Sequence, residues 1–162
     1  MVVDDEPFNI IALEGLFQQF GVEKVDRAFN GREAIRLIEK NANDPACGLV
    51  APQENSDPLV LIPRKSLHQH ERYRLVMLDN NMPIMTGLEA AVNLRQMHDR
   101  QQADLRNTKL ILITGDEVRG SRVDSDFKAI IAKVFDDILS KPLTRLEFEA
   151  FIKRNHAMFS QI

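Results

Sequence analysis

Four apolar residues, Leu75-Val76-Met77-Leu78, run without interruption into a carboxylate at Asp79. A half-exposed strand alternates apolar with polar positions, and a surface helix spaces its apolar residues three and four apart. A short unbroken run fits neither and reads as a strand buried on both faces, the habit of a parallel sheet. Leu110-Ile111-Leu112-Ile113 repeats the pattern and ends on Thr114-Gly115. Parallel strands need crossover connections, usually helices, so the segments between such runs should carry helical spacing.

They do. Met1-Val2-Val3 is a strand fragment, shorter than the usual five or six residues or so; strand one reads as clipped at its front, with sequence expected upstream. Pro7 suits a first helical turn; Ile10, Ile11, Leu13, Leu16, Phe17 and Phe20 follow at helical spacing, and Gly21 stops the helix. Val22 to Phe29 is a weaker strand. Asn30-Gly31 turns the chain into a helix through Ala34, Ile35, Leu37 and Ile38, ending near Lys40. Residues 41–72, rich in Pro, Asn and Asp, read as a long insertion between the second helix and the third strand, because loops of that length are uncommon inside a domain. Its Leu59–Ile62 run ends in Pro-Arg-Lys with no carboxylate, so the third strand is assigned to Leu75–Leu78. Helices are expected from Thr86 to Asp99, around Phe127, Ile130, Ile131 and Val134, and from Leu143 to about His156, with the last strand inside Phe135–Ser140. Asp136-Asp137 reads as a solvated pair ahead of that strand. Strand and helix alternate five times, which implies one α/β domain over residues 1–162, a doubly wound parallel sheet with helices on both faces.

A net charge of −3 gives no general attraction to nucleic acid or anionic lipid. Arg64-Lys65 is too short for a nucleic-acid patch, and His68 and His70 read as exposed loop histidines rather than metal ligands. One cysteine, Cys47, excludes an intrachain disulfide and suits a reducing interior. No apolar run is long enough to span a bilayer, so the segment is expected in the cytoplasm, alone or as the cytoplasmic part of a membrane-bound chain.

In open α/β sheets, ligands bind beyond the carboxyl ends of the strands. Reading only those ends collects Asp4-Asp5, Asp79, Thr114 and Lys141. Three carboxylates without a cation repel, so the set asks for a hard divalent metal; magnesium takes oxygen ligands and is typically held by one or two carboxylates with a phosphate. A hydroxyl and an ammonium beside them suit a phosphoryl group placed on Asp79, since carboxylates serve as phosphoryl acceptors.

Val2-Val3-Asp4-Asp5-Glu6-Pro7, Leu78-Asp79-Asn80-Asn81-Met82-Pro83-Ile84-Met85-Thr86-Gly87, Ile113-Thr114-Gly115 and Ser140-Lys141-Pro142 stand in this order at strand ends. In this the chain resembles the response-regulator receiver domains of two-component phosphorelays. The resemblance implies a flavodoxin-like (βα)5 fold with a five-stranded sheet in the order 2-1-3-4-5. It implies that Asp79 accepts phosphate from the phosphohistidine of a histidine kinase or histidine-phosphotransfer protein, with magnesium or manganese as cofactor. Asp5 would bind the metal directly and Asp4 more through water, the division between them staying open, and Asn81 would offer its backbone carbonyl. Thr114 would hydrogen-bond the phosphoryl oxygen and Lys141 would pair with it. The Lys141-Pro142 bond would be cis. Asp116 is either a helix-start acid or, with Asn81, a modulator of dephosphorylation.

Two features depart from the family. Ile138 stands where an aromatic switch residue is common, and the 41–72 insertion has no assigned role. Such a receiver would catalyse its own phosphorylation and autodephosphorylation without being a stand-alone enzyme, and would belong to a single-domain regulator or a hybrid histidine kinase. Phosphorylation would shift an interaction surface, and a phosphorylation-dependent dimer is one outcome. The alternatives are a pseudo-receiver acting as an interaction module, disfavoured because Asp5, Asp79 and Lys141 are all present, and an aspartate-nucleophile phosphatase, whose Asp-x-Asp signature Asp4-Asp5-Glu6 does not match.

Overall fold

A computed structural model describes residues 1–22, 24–42, 73–115 and 125–155. In chain order the elements are β1 (Val2–Val3), α1 (Pro7–Gln19), β2 (Arg27–Ala28), α2 (Gly31–Ala42), β3 (Leu75–Asp79), α3 (Gly87–Asp99), β4 (Lys109–Thr114), α4 (Ser125–Val134), β5 (Asp137–Ser140) and α5 (Arg145–Arg154). All strand pairs are parallel, and the sheet runs β2-β1-β3-β4-β5. The expected strand order and the alternation of strand and helix are both met.

Side chains alternate across a strand, and this divides the core in two. Val3, Val76, Leu78, Leu110 and Leu112 face α2, α3 and α4, where Ala34, Ile38, Ala90, Leu94 and Ile131 complete the cluster. Val2, Met77, Ile111, Ile113 and Leu139 face α1 and α5, where Ile10, Leu13, Phe17, Phe148 and Phe151 complete the second. Phe148 is fully buried and meets Phe17 edge-on, with ring centroids 4.9 Å apart. Burial on both faces explains why β3 and β4 carry no alternation.

Local chemistry sets the helix starts. Thr86 and Thr144 each accept from the backbone N–H three residues on, and Glu89 and Glu147 reach back to the capping residue, so both helices begin with a capping box. Gly21, at φ +82°, follows the α1 terminus in the left-handed region that glycine enters freely.

The structure departs from the sequence reading in places. Strand β2 pairs over two residues only, and α2 continues past Lys40 to Ala42. Ile11 and Ile130 are exposed rather than in the core. Asp136 is no free surface acid: it accepts from Leu110 N–H at 2.8 Å and from Arg95 at 2.7 Å, while Arg95 also donates to the Val134 carbonyl. Asp137 pairs with Arg154 at 3.0 Å. Most of the 41–72 stretch, including Arg64, Lys65, His68 and His70, lies outside the described residues, as does Asp116. Among the described residues no helix is long and apolar enough to cross a membrane.

Candidate functional site

The ladder brings the strand ends to one edge. Val3 lies beside Leu78, so Asp4 follows β1 next to Asp79 at the end of β3; Thr114 lies beside Ser140, so Lys141 follows β5 next to it. The Lys141 N–H donates to the Thr114 carbonyl at 2.8 Å, fixing the lysine backbone to β4. The Lys141-Pro142 peptide is cis, as the resemblance implied.

Asp4 and Asp79 are both buried, at 1% and 5% exposure, and a buried carboxylate is costly unless donors meet it. Lys141 Nζ meets both, at 2.8 Å to Asp4 Oδ2 and 2.7 Å to Asp79 Oδ1. Burial pulls the lysine toward its neutral form, but the hydrogen bonds and charges of Asp4 and Asp79 outweigh it and raise the ammonium above its ordinary range. The second oxygen of Asp79 accepts from the Asn81 N–H at 3.1 Å. The other oxygen of Asp4 accepts from the Glu6 N–H and from Asn9 Nδ2, each at 3.0 Å.

Asp5 is the solvent-facing member of the group. Ligand atoms of Asp4, Asp5 and Asp79 all lie within 4.8 Å of one another. Three carboxylates this close, with one ammonium among them, form an oxygen-rich, under-neutralised cage, the donor set that a hard divalent cation such as magnesium prefers. The residues present fit that ion. Thr114 is buried to 1% exposure at the end of β4, and Asn81 is exposed on the β3–α3 loop. Ile138 pairs with Leu112 in register and packs partly buried against the α2–α4 side of the core.

Three positions have roles that sequence spacing does not disclose. Asn9, four residues after Asp5 in the first turn of α1, turns its amide to Asp4. Gly87 is needed because a Cβ there would stand 2.9 Å from the Asp79 carbonyl carbon and closer still to its oxygen. Ile84 holds a left-handed φ of +71° while 71% exposed, an unusual conformation for a β-branched residue.

No family model matches the chain. A two-component system protein A of Emericella nidulans is 25% identical over 145 residues, 90% of this chain but 15% of that protein. Hybrid signal transduction histidine kinase L of Dictyostelium discoideum is 25% identical across 95% of this chain, which spans 7% of its length. A two-component response regulator of Oryza sativa subsp. japonica is 27% identical over 146 residues, covering 90% of this chain and 84% of its own. Among solved structures, the receiver domain of an Arabidopsis thaliana histidine kinase superposes with a TM-score of 0.65 at 21% identity, covering 96% of this chain and 87% of that one. The receiver domain of a Pseudomonas aeruginosa PAO1 sensor histidine kinase, which holds a magnesium ion in its active-site cleft, gives 0.58 at 20% identity, covering 94% and 92%.

Proposed function

We propose that this chain, which has the fold of two-component receiver domains and is similar to response regulators in sequence, accepts a phosphoryl group on Asp79 from the phosphohistidine of a histidine kinase or phosphotransfer protein. The observation that carries the reading is the double engagement of Lys141 with Asp4 and Asp79 inside a three-carboxylate cage at the sheet edge. A structural strand-end acid has no use for two further acids around one lysine.

In the transfer, a carboxylate oxygen of Asp79 forms a bond to phosphorus as the bond from phosphorus to the donor imidazole nitrogen breaks, and the imidazole leaves with the bonding pair. Positioning and charge neutralisation supply the catalysis. Asp79 is held for attack by the Asn81 N–H on one oxygen and Lys141 on the other. As negative charge gathers on the phosphoryl oxygens, Lys141 supplies a mobile ammonium and Thr114 a hydroxyl donor. Asp4, Asp5, Asp79 and the Asn81 carbonyl would hold magnesium or manganese, which when bound neutralises phosphoryl charge. On this reading the chain is one receiver domain with residues 41–72 inserted, acting in the cytoplasm, and phosphorylation alters a partner or dimer surface.

Intact-mass analysis after incubation with acetyl phosphate and magnesium tests it. A single phosphate adduct that requires the metal and is absent in Asp79→Asn is expected. No adduct on folded wild type would refute phosphoryl acceptance and leave a pseudo-receiver acting as an interaction module.

A further inference from the structure

Asp4 is the most buried of the three acids, and its carboxylate is held from two sides. Lys141 takes Oδ2; the Glu6 N–H and the Asn9 amide share Oδ1 at 3.0 Å each. These three donors differ in what fixes them. The lysine has a flexible four-carbon stem and a second partner in Asp79. The Glu6 N–H lies two residues away in the same turn and moves with Asp4. Asn9 belongs to α1, whose helical backbone begins at Pro7, and its own N–H is tied back to the Glu6 carbonyl at 3.0 Å. It is the one donor anchored to a regular element independent of both the strand end and the lysine.

A carboxylate torsion is soft, so without an anchored donor on Oδ1 the Asp4 carboxylate could rotate to offer either oxygen, or both, to Lys141. We propose that Asn9 is a positioning residue for the divalent-cation site: its amide locks Oδ1 into α1 so that Oδ2 alone faces Lys141, Asp79 and the cation. This rests on the reading of Asp4, Asp5 and Asp79 as a metal centre. Partners that orient ligating carboxylates commonly alter metal affinity by about 10- to 100-fold when removed. Asn9 also leaves Asp4 with a neutral donor on Oδ1 whichever way the lysine turns, which keeps the carboxylate in place when Lys141 is drawn toward a phosphoryl group.

Calorimetric titration of unphosphorylated protein with magnesium chloride tests the assignment. Asn9→Leu keeps the branched side-chain shape, removes the donor and favours the helix slightly; Asn9→Ala is the second variant, and Asn9→Gln retains an amide. Phe8→Ala, one residue away and 80% exposed, is the control for a general change in the α1 terminus. The expected result is a magnesium Kd raised about 10-fold in Asn9→Leu and Asn9→Ala, a smaller rise in Asn9→Gln, and none in Phe8→Ala. In acetyl phosphate reactions the magnesium concentration for half-maximal rate should rise while the rate at saturating magnesium holds. Wild-type affinity in both donor-less variants would overturn the role of Asn9 and leave the metal centre standing. A wild-type protein that binds no magnesium would overturn the metal centre itself, and Asn9's role with it.

Discussion

Two glycines inside helices should respond oppositely to the same substitution. Gly15 lies in α1, and a Cβ built on it meets nothing within 4 Å. Gly15→Ala therefore gains the ordinary helix preference of alanine, about 1 kcal/mol, and should raise the Tm by about 2–4 °C in a chain of this size. Gly87 opens α3, but its Cβ would enter the contact distance of the Asp79 carbonyl group and stand 3.3 Å from Asn80 Cα. Backbone cannot rotate aside as a side chain does. Relief requires α3 to withdraw from β3, which strains the Gly87 N–H to Asn80 carbonyl bond at 3.3 Å. Overpacking costs about 1–3 kcal/mol and a weakened hydrogen bond roughly 1 kcal/mol more; against the helix gain of about 1 kcal/mol, the net loss is about 2 kcal/mol. Urea denaturation of the two variants and wild type measures this as midpoint shifts of opposite sign at a common slope. If Gly87→Ala is neutral or stabilising, the close approach of α3 to the Asp79 backbone is refuted. If both variants shift down together, the open space at Gly15 is the error.

Other consequences follow from individual groups. Tyr73 is the single tyrosine; burial first, then its 2.6 Å bond to Asp26, raises its pKa well above the ordinary 10.0. The neutral phenol is favoured by folding, so its contribution is fully present below pH ~10 and lost as pH rises beyond; tyrosinate absorbance should appear later in folded than in urea-unfolded protein, and coincident titrations would contradict the half-buried pair. Magnesium at 100 times its Kd should stabilise wild type by about 2.7 kcal/mol, a Tm rise of about 5–10 °C; an unchanged melting curve at saturating metal refutes the cage. Lys141→Ala should fold yet lose phosphorylation-dependent switching, and its Tm should gain more from magnesium than wild type, because Asp4 and Asp79 then face each other with no ammonium between them; an equal gain argues that the lysine does not neutralise the pair. Phe148→Ala should cost about 3–5 kcal/mol, read in urea, since the ring is fully buried against Phe17 and Phe151.

The sheet was legible because β3 and β4 are buried on both faces and their composition records it, and because a polar residue must follow wherever an apolar run emerges at the sheet edge. Those two rules place Asp79 and Thr114 without knowledge of contacts. Strand β2 was faint because Arg27 and Ala28 pair on one side only, with β1, and face solvent through Arg27. Ile11 and Ile130 occupy helical core spacing yet are exposed, since periodicity marks a stripe and not its width. Asp136 carries no local sign of its role: Arg95 and the Leu110 N–H reach it from 41 and 26 residues away. Asn9 is hidden for a related reason: helical spacing picks out the apolar positions of α1 and carries no sign that a polar one between them turns to Asp4.

The position of Lys141 explains why two buried carboxylates coexist beside it. Its backbone is fixed to the Thr114 carbonyl and its side chain alone spans Asp4 and Asp79, at 2.8 and 2.7 Å. An arginine there would satisfy the same charges, but a planar fork locks onto one carboxylate through two parallel bonds, and Asp79 would be held in a contact that the proposed phosphorylation would have to break. An ammonium is a point charge with three rotatable donors, so it can stay close to Asp4, leave Asp79, and follow new charge placed on that side chain without any movement of β5. The anchoring falls to Asn9, which shares the opposite oxygen of Asp4 with the Glu6 N–H. The two acids are thus held differently, as the proposed function asks: Asp4 has donors that stay, whereas Asp79 shares its lysine and keeps only the Asn81 N–H as a donor of its own among the hydrogen bonds described.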